Sequence, residues 1–275
     1  MLPGFLDDDE STLFLGIGTI LDPKFPGHVR KVVFGSGAGD KDAPKIDSNW
    51  EVHGVRGKLT AARFGLGEDK VIGDPAYLLH LTHFDADQEK SFSISDIPHH
   101  DSLDSLDWGE FCEHIGYHFI SARSPRTEVV EQIGASELVV AEAMHGAIIA
   151  DAMRVPWVPA RYGPRFLNAK WEDWLSSIDL GFSPIDIETV NERKLGLGAL
   201  CRNRVKRFLA AAGMGKEKWS WLPLDQSSKG EIRSAAERFA AEVSGAEKNL
   251  SRDEKFFSLL EKQKQILELL KKGYE

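Results

Sequence analysis

Between Leu138 and Pro159 the chain changes its hydrophobic period twice, and no other segment constrains its fold as strongly. Leu138-Val139-Val140-Ala141 is an unbroken apolar run. Such a run fits a strand buried on both faces. From the His145-Gly146 pair onward the apolar residues recur at helical spacing as far as Ala152, and Val155-Pro156-Trp157-Val158-Pro159 reads as the next buried strand. A short helix between two buried strands belongs to an open α/β sheet, and here the first strand delivers His145 to a helix start. Backbone N–H groups at a helix N-terminus, and the crevice beyond strand C-termini, both favour anions. His145 and Gly146 therefore lead the functional candidates, with Glu142 just upstream. By residue type alone His145 is equally a core histidine bonded to its own turn. Glu142 is equally an orienting group, an acid or base, or a side chain that leaves the sheet edge for solvent.

The same alternation extends on both sides. Leu13 to Leu21 and Val29 to Phe34 read as strands, Val55 to Leu66 as an amphipathic helix with Leu59, Ala62 and Leu66 on its apolar side, and Val71 to Pro75 as a short strand ending in a tight turn. The polar stretch from His83 to Lys90 fits a linker. Beyond it come strands over Phe92 to Ile97 and Tyr117 to Ala122, and helices over Trp108 to Gly116 and Pro125 to Ile133. Strands alternating with short helices predict a parallel sheet covered on both faces. After Ser183 the pattern is helical only, clearest over Ile232 to Val243 and Leu250 to Lys272. The expected organisation is an α/β domain over 1–84, a second over 85–183 that carries the His-Gly pair, and a helical segment over 184–275.

At 275 residues there is room for two cores, and 42% apolar with 28% charged residues lies in the globular range. A net charge of −9 argues against a general nucleic-acid or membrane surface and leaves room for a local basic cleft. Cys112 and Cys201 have no metal-ligand spacing and read as thiols in a reducing compartment. The first ten residues are acidic where a signal peptide is basic, and no run is apolar enough to cross a bilayer, so the expected location is cytoplasmic.

Other motifs are weaker. Gly16-Ile17-Gly18 and Gly35-Ser36-Gly37-Ala38-Gly39 follow strands, but Leu21 and Asp40 stand where a dinucleotide fingerprint has its third glycine, so tight turns are the better reading. His99-His100 follows Ile97-Pro98 at a strand end. Nothing nearby completes a zinc spacing, and adjacent side chains of a strand point to opposite sides, so no metal is expected there. Among the cations Arg56, Arg63, Arg123, Arg126, Arg161, Arg165 and Lys170, most are expected to be solvated. Arg56 is the exception, because Val55-Arg56-Gly57 ends a strand just before a helix, where a guanidinium can grip phosphate or carboxylate.

Taken in order, Val55-Arg56-Gly57-Lys58-Leu59-Thr60, Ile72-Gly73-Asp74-Pro75-Ala76, Ile97-Pro98-His99-His100, Ala141-Glu142-Ala143-Met144-His145-Gly146 and the downstream Lys170 resemble the polysaccharide pyruvyl transferase family. The likeness is greatest to its exopolysaccharide, succinoglycan-type branch and covers roughly Leu2 to Leu180. The resemblance implies two Rossmann-like parallel-sheet domains similar to GT-B glycosyltransferases, with the active site in the cleft between them. It implies transfer of pyruvate from phosphoenolpyruvate to two sugar hydroxyls as a cyclic ketal, with release of phosphate and with no cofactor. The partners implied are that donor and a sugar or lipid-linked oligosaccharide, with peripheral association with membrane-bound glycan assembly machinery and no nucleic acid.

By motif, the resemblance puts the functionally central histidine on His145 and donor contacts on Arg56 and Lys170; Glu142 joins His145 as a catalytic candidate, and Gly146, His100 and Arg161 are further substrate-binding candidates. Many relatives carry an arginine where this chain has Ala143, so that donor contact is expected either to be lost or to be supplied by Arg161 or Arg165. Relatives also begin with a strand and a Gly- and Asn-Asp-containing loop that has no match before Leu13, so the N-terminal domain is expected to be incomplete at its start and the chain to be poorly soluble or oligomeric. Two alternatives stay open: a GT-B nucleotide-sugar glycosyltransferase, and a non-catalytic truncated member acting as a binding subunit. Near the C-terminus Phe256, Leu259, Leu260, Ile266, Leu267 and Leu270 form a helical stripe, expected to pack back onto the protein in preference to a partner.

Overall fold

A computed structural model describes residues 11–21, 25–39, 44–85, 88–162, 168–214, 219 and 222–274. Its chain-order elements are β1 (Thr12–Leu15), β2 (Arg30–Phe34), β3 (Trp50–Gly54), α1 (Lys58–Arg63), α2 (His80–His83), β4 (Ser95–Ile97), α3 (Trp108–His114), β5 (His118–Phe119), α4 (Arg126–Gly134), β6 (Val139–Ala141), α5 (Met144–Ala152), β7 (Trp157–Tyr162), α6 (Asn168–Ile178), β8 (Ile185–Ile187), α7 (Leu197–Ala211), α8 (Lys229–Gly245) and α9 (Asp253–Tyr274). The chain folds into two compact units. The first takes Met1–Phe84, Leu167–Phe182 and Ser251–Glu275, and the second Asp85–Phe166 and Ser183–Leu250.

Among the described residues the first unit holds a parallel sheet in the order β1-β2-β3. Successive side chains of a strand face opposite ways, so each strand serves two cores. Leu15, Val33 and Val52 pack on one face with Ala61 of α1 and Phe64 just after it, while Phe14, Val32 and Phe34 pack on the other with Ile266, Leu267 and Leu270 of α9. The C-terminal stripe thus packs back onto its own unit, as its spacing predicts. Gln263, buried within that stripe, donates through Nε2 to the Ile72 carbonyl at 2.7 Å and the Asp74 carbonyl at 3.1 Å, which gives buried backbone acceptors their partners.

In the second unit the sheet runs β5-β4-β6-β7-β8, parallel throughout among the described residues. One face buries Val140, Val158, Ala160 and Ile187 against Trp108, Phe111 and Cys112 of α3 and Phe239 of α8. Helix α5, with Ala147, Ile148 and Ala150 buried, packs on β6 and β7. Helix α8 begins in a capping box, in which the Ser228 hydroxyl accepts from the Glu231 N–H and the Glu231 carboxylate accepts from the Ser228 N–H.

Several element expectations need correction. Helix α1 spans only six residues, and it buries Thr60 and Ala61 while Leu59 and Ala62 lie outward. Hydrogen bonds to Thr60 set its rotation where apolar spacing pointed the other way. Val71 to Pro75 is no strand but one parallel bridge, Val55 to Val71, followed by a 3₁₀ turn over Pro75–Leu79. Strand β3 was not anticipated, because Glu51 and His53 interrupt its apolar run and bond one another at 2.5 Å. Strand β8 lies where only helices were expected, and its Ile185-Asp186-Ile187 alternation is too short to register as a period.

Candidate functional site

The order of the second sheet determines where its chemistry gathers. From β4 the chain passes through α3 to β5 on one side, then returns through α4 to β6 on the other side of β4. The connections therefore part company between β4 and β6. In open parallel sheets a crevice forms at such a switch point, outside the strand C-termini. Here Pro98–Ser102 follows β4 and Glu142–Gly146 follows β6 at that point.

Glu142 stitches these two segments together. It is 4% exposed, its Oε2 accepts the His99 N–H at 2.8 Å, and its Oε1 accepts the Ser102 hydroxyl at 2.9 Å. The option of an exposed Glu142 at a sheet edge is thereby overturned. Burial pushes its carboxyl up to about 7, against the pull of those hydrogen bonds. One strand away Asp96 is fully buried, and burial first, then the Glu142 charge, pushes its carboxyl up to about 8. Asp96 Oδ2 accepts the Cys112 thiol at 3.7 Å.

His145 sits half-buried in the first turn of α5, whose N-cap, Ala143, contributes no side-chain cap. Gly146 explains how the helix comes so close: a Cβ there would meet Ile97 Cγ2 of β4 at 2.6 Å. The expectation for His99-His100 needs a correction. Both lie past the end of β4, in a turn after Pro98, and their rings are 4.1 Å apart, centroid to centroid, on a shared side. Ligand atoms of His99, His100 and Asp101 come within 4.8 Å of one another.

Arg123, among the cations expected to be solvated, also reaches this loop: Nη2 donates to the His100 carbonyl at 2.7 Å, and both Nη groups bond the Asp104 carboxylate. Together these residues provide a half-buried imidazole, a carboxyl that titrates near neutrality and a cation at the rim. That combination suits proton transfer beside an anionic group.

In the first unit, Arg56 is fully buried and already engaged. Its Nε donates to Asp173 Oδ2 at 3.0 Å, Nη2 lies 3.0 Å from the same oxygen, and Nη1 donates to the Thr19 hydroxyl at 3.0 Å. Asp173 also accepts the Thr60 N–H and hydroxyl, both at 2.8 Å, so an internal carboxylate takes the place of an anion at the start of α1. The guanidinium lies against Gly37, where a Cβ would come within 2.3 Å of Nη2. The Gly-rich turns thus hold Arg56, which their spacing did not reveal. Lys170 is half-buried in the first turn of α6, in this same unit, three residues before Asp173.

Arg161, on β7, forms a two-pronged pair with Asp186 of β8, at 2.5 and 2.8 Å. Arg165 lies outside the described residues. The sequence reading missed Asp173, Ser102, Asp96 and the reach of Arg123. No motif marks them, because their partners are 16 to 117 positions away in the chain.

Comparison with known proteins bears directly on this site. Residues 7–164 match the model of the family described as polysaccharide pyruvyl transferase, which takes in Arg56, His100, Glu142, His145 and Arg161 and stops short of Lys170. The succinoglycan biosynthesis protein ExoV of Rhizobium meliloti (strain 1021) is 37% identical over 188 residues, an alignment covering 67% of this chain and 59% of that protein.

Proposed function

Because the chain belongs to the polysaccharide pyruvyl transferase family, we propose that it moves pyruvate from phosphoenolpyruvate onto two hydroxyls of a sugar in an exopolysaccharide repeat. The product is a cyclic ketal and inorganic phosphate leaves. The observation that carries this reading is the convergence of His145, Glu142 and the His99–His100 turn at the one point where the β4 and β6 connections diverge.

In the proposed reaction a proton adds to the methylene carbon of the donor and leaves an oxocarbenium-like carbon, which the first sugar hydroxyl attacks as it gives up its own proton. The phosphate then departs with its bonding electron pair, and the second hydroxyl closes the ring and loses its proton. One group must deliver a proton and one must accept it. An imidazole can both give and accept a proton, and we assign these transfers to His145. Glu142 bonds both His99 and Ser102, which supports a role in holding the turn in register with His145. His100 is the nearby side chain suited to an anionic donor, and Arg123, bonded to the Asp104 carboxylate and the His100 carbonyl, holds the loop that presents it.

Arg56 needs a different role from the one its motif suggests. A donor anion reaches it only by displacing Asp173, so its proposed contribution is to fix the Thr19 and Gly37 turns. The acceptor is proposed to be a lipid-linked or free repeat unit. Cytoplasmic action is part of this proposal, and among the described residues no helix is long and apolar enough to cross a membrane.

The test is phosphate release from phosphoenolpyruvate in the presence of an exopolysaccharide repeat, with mass spectrometry of the sugar. The expected result is phosphate release matched by one acid-labile ketal per repeat. His145→Gln should lower the turnover about 10²- to 10⁴-fold with an unchanged melting curve. Release of a nucleotide from a sugar donor, with none of phosphate, would instead identify a glycosyltransferase.

A further inference from the structure

Helix α7 wears its polarity inside out. Leu197, Val205 and Phe208 are 83%, 58% and 71% exposed, and Cys201 is exposed between them. Steps of four, four and three residues bring these side chains into one stripe along the helix. Met214, just past the helix end, is exposed as well. The opposite side is what holds α7 to its own unit: Asn203 is buried and donates to the Pro223 carbonyl at 2.9 Å, and Lys206 Nζ sits 5.5 Å from the centre of the Trp219 ring.

Charge distinguishes this stripe from an ordinary unfilled interface. From Arg193 to Met214 the chain carries six basic residues, Arg193, Lys194, Arg202, Arg204, Lys206 and Arg207, and neither Asp nor Glu. The whole chain, by contrast, has 43 acidic and 34 basic residues. At a helical turn of about 100° per residue, Arg204 flanks one edge of the apolar stripe and Arg202 the other. An apolar stripe edged by guanidinium groups is the pattern of a helix that lies in the plane of a membrane interface.

We propose that α7 is a membrane-surface helix, its Leu197–Cys201–Val205–Phe208 stripe entering the headgroup boundary of a bilayer that carries anionic phospholipid. The flanking arginines then meet lipid phosphates, and the basic segment is drawn to the negative surface although the molecule as a whole is acidic. A second copy is the poorer occupant, because pairing α7 with α7 brings two basic segments together. The helix, about 22 Å long by its rise per residue, lies along the surface and does not cross it. This inference rests on α7 alone and is independent of the pyruvyl reading.

The test uses the full chain and vesicles of phosphatidylcholine with or without phosphatidylglycerol. The wild-type chain should float with anionic vesicles only, and added salt should weaken the association. Both Val205→Glu/Phe208→Glu and Arg202→Glu/Arg204→Glu should reduce it by at least about tenfold while leaving the melting curve unchanged, since these side chains face solvent. An environment-sensitive dye on Cys201, selective because Cys112 is buried, should shift to the blue on anionic vesicles. Three outcomes overturn the proposal: a folded chain that ignores anionic vesicles, variants that bind as well as wild type, or a concentration-dependent dimer abolished by Phe208→Glu with no lipid binding.

Discussion

Two buried carboxyls and one buried guanidinium are the residues whose chemistry is most exposed to test. Asp96 and Glu142 keep their protons to about pH 8 and pH 7 in the folded state, above the ordinary carboxylate range. The native chain then binds more protons than the unfolded one across that interval, so their contribution to stability is complete at low pH and is lost as pH rises. Asp96→Asn removes one such proton. The variant should therefore gain stability relative to wild type between about pH 5 and about pH 8 in denaturant titrations; a constant difference would mean that Asp96 titrates normally. Arg56→Ala leaves Asp173 buried without its partner and should cost about 3–5 kcal/mol, whereas a variant as stable as wild type would show that Asp173 is solvated. Arg56 illustrates what sequence reading reaches at this scale. Its position at a strand end before a helix is written in Val55-Arg56-Gly57. Its partner Asp173 is 117 residues away and belongs to no motif, so the same residue read as a ligand for an external anion.

Among the elements, those with a clean period were legible and those without one were not. Strand β6, helix α5, strand β7 and helix α9 have apolar runs or stripes long enough to show their periodicity, and each lies close to its expected place. Strands β3 and β8 have three to five residues and one polar interruption or more, which leaves no period to read. Helix α1 shows a sharper limit: its rotation is governed by hydrogen bonds to Asp173 and by a glycine. A Cβ at Gly57 would come within 1.7 Å of the Asp173 carbonyl oxygen. Main chain cannot swing aside as a flexible side chain does, so Gly57→Ala should destabilise the first unit by more than the roughly 1–3 kcal/mol typical of overpacking. A thermal melt within a degree or two of wild type would contradict the close approach of α1 and α6.

On the scale of the whole molecule, parallel α/β architecture was readable from alternating strand and helix patterns, but unit composition was not. Segments 168–178 and 253–274 join the first 84 residues through packing between positions more than a hundred apart, and linear spacing carries no trace of such pairings. The site was partly readable for the same reason. His145 and Gly146 are announced by the strand-to-helix change, while the switch point that gives them significance exists only once β4 and β6 are neighbours. The central claim is that the His145 end of this sheet receives phosphoenolpyruvate, and calorimetric titration of that compound into the chain tests it without knowledge of the acceptor. Saturable binding by the wild-type chain is expected, weakened in His100→Ala while both proteins show the same melting curve. Absence of binding by a well-folded wild-type chain, or undiminished binding by His100→Ala, would contradict the claim.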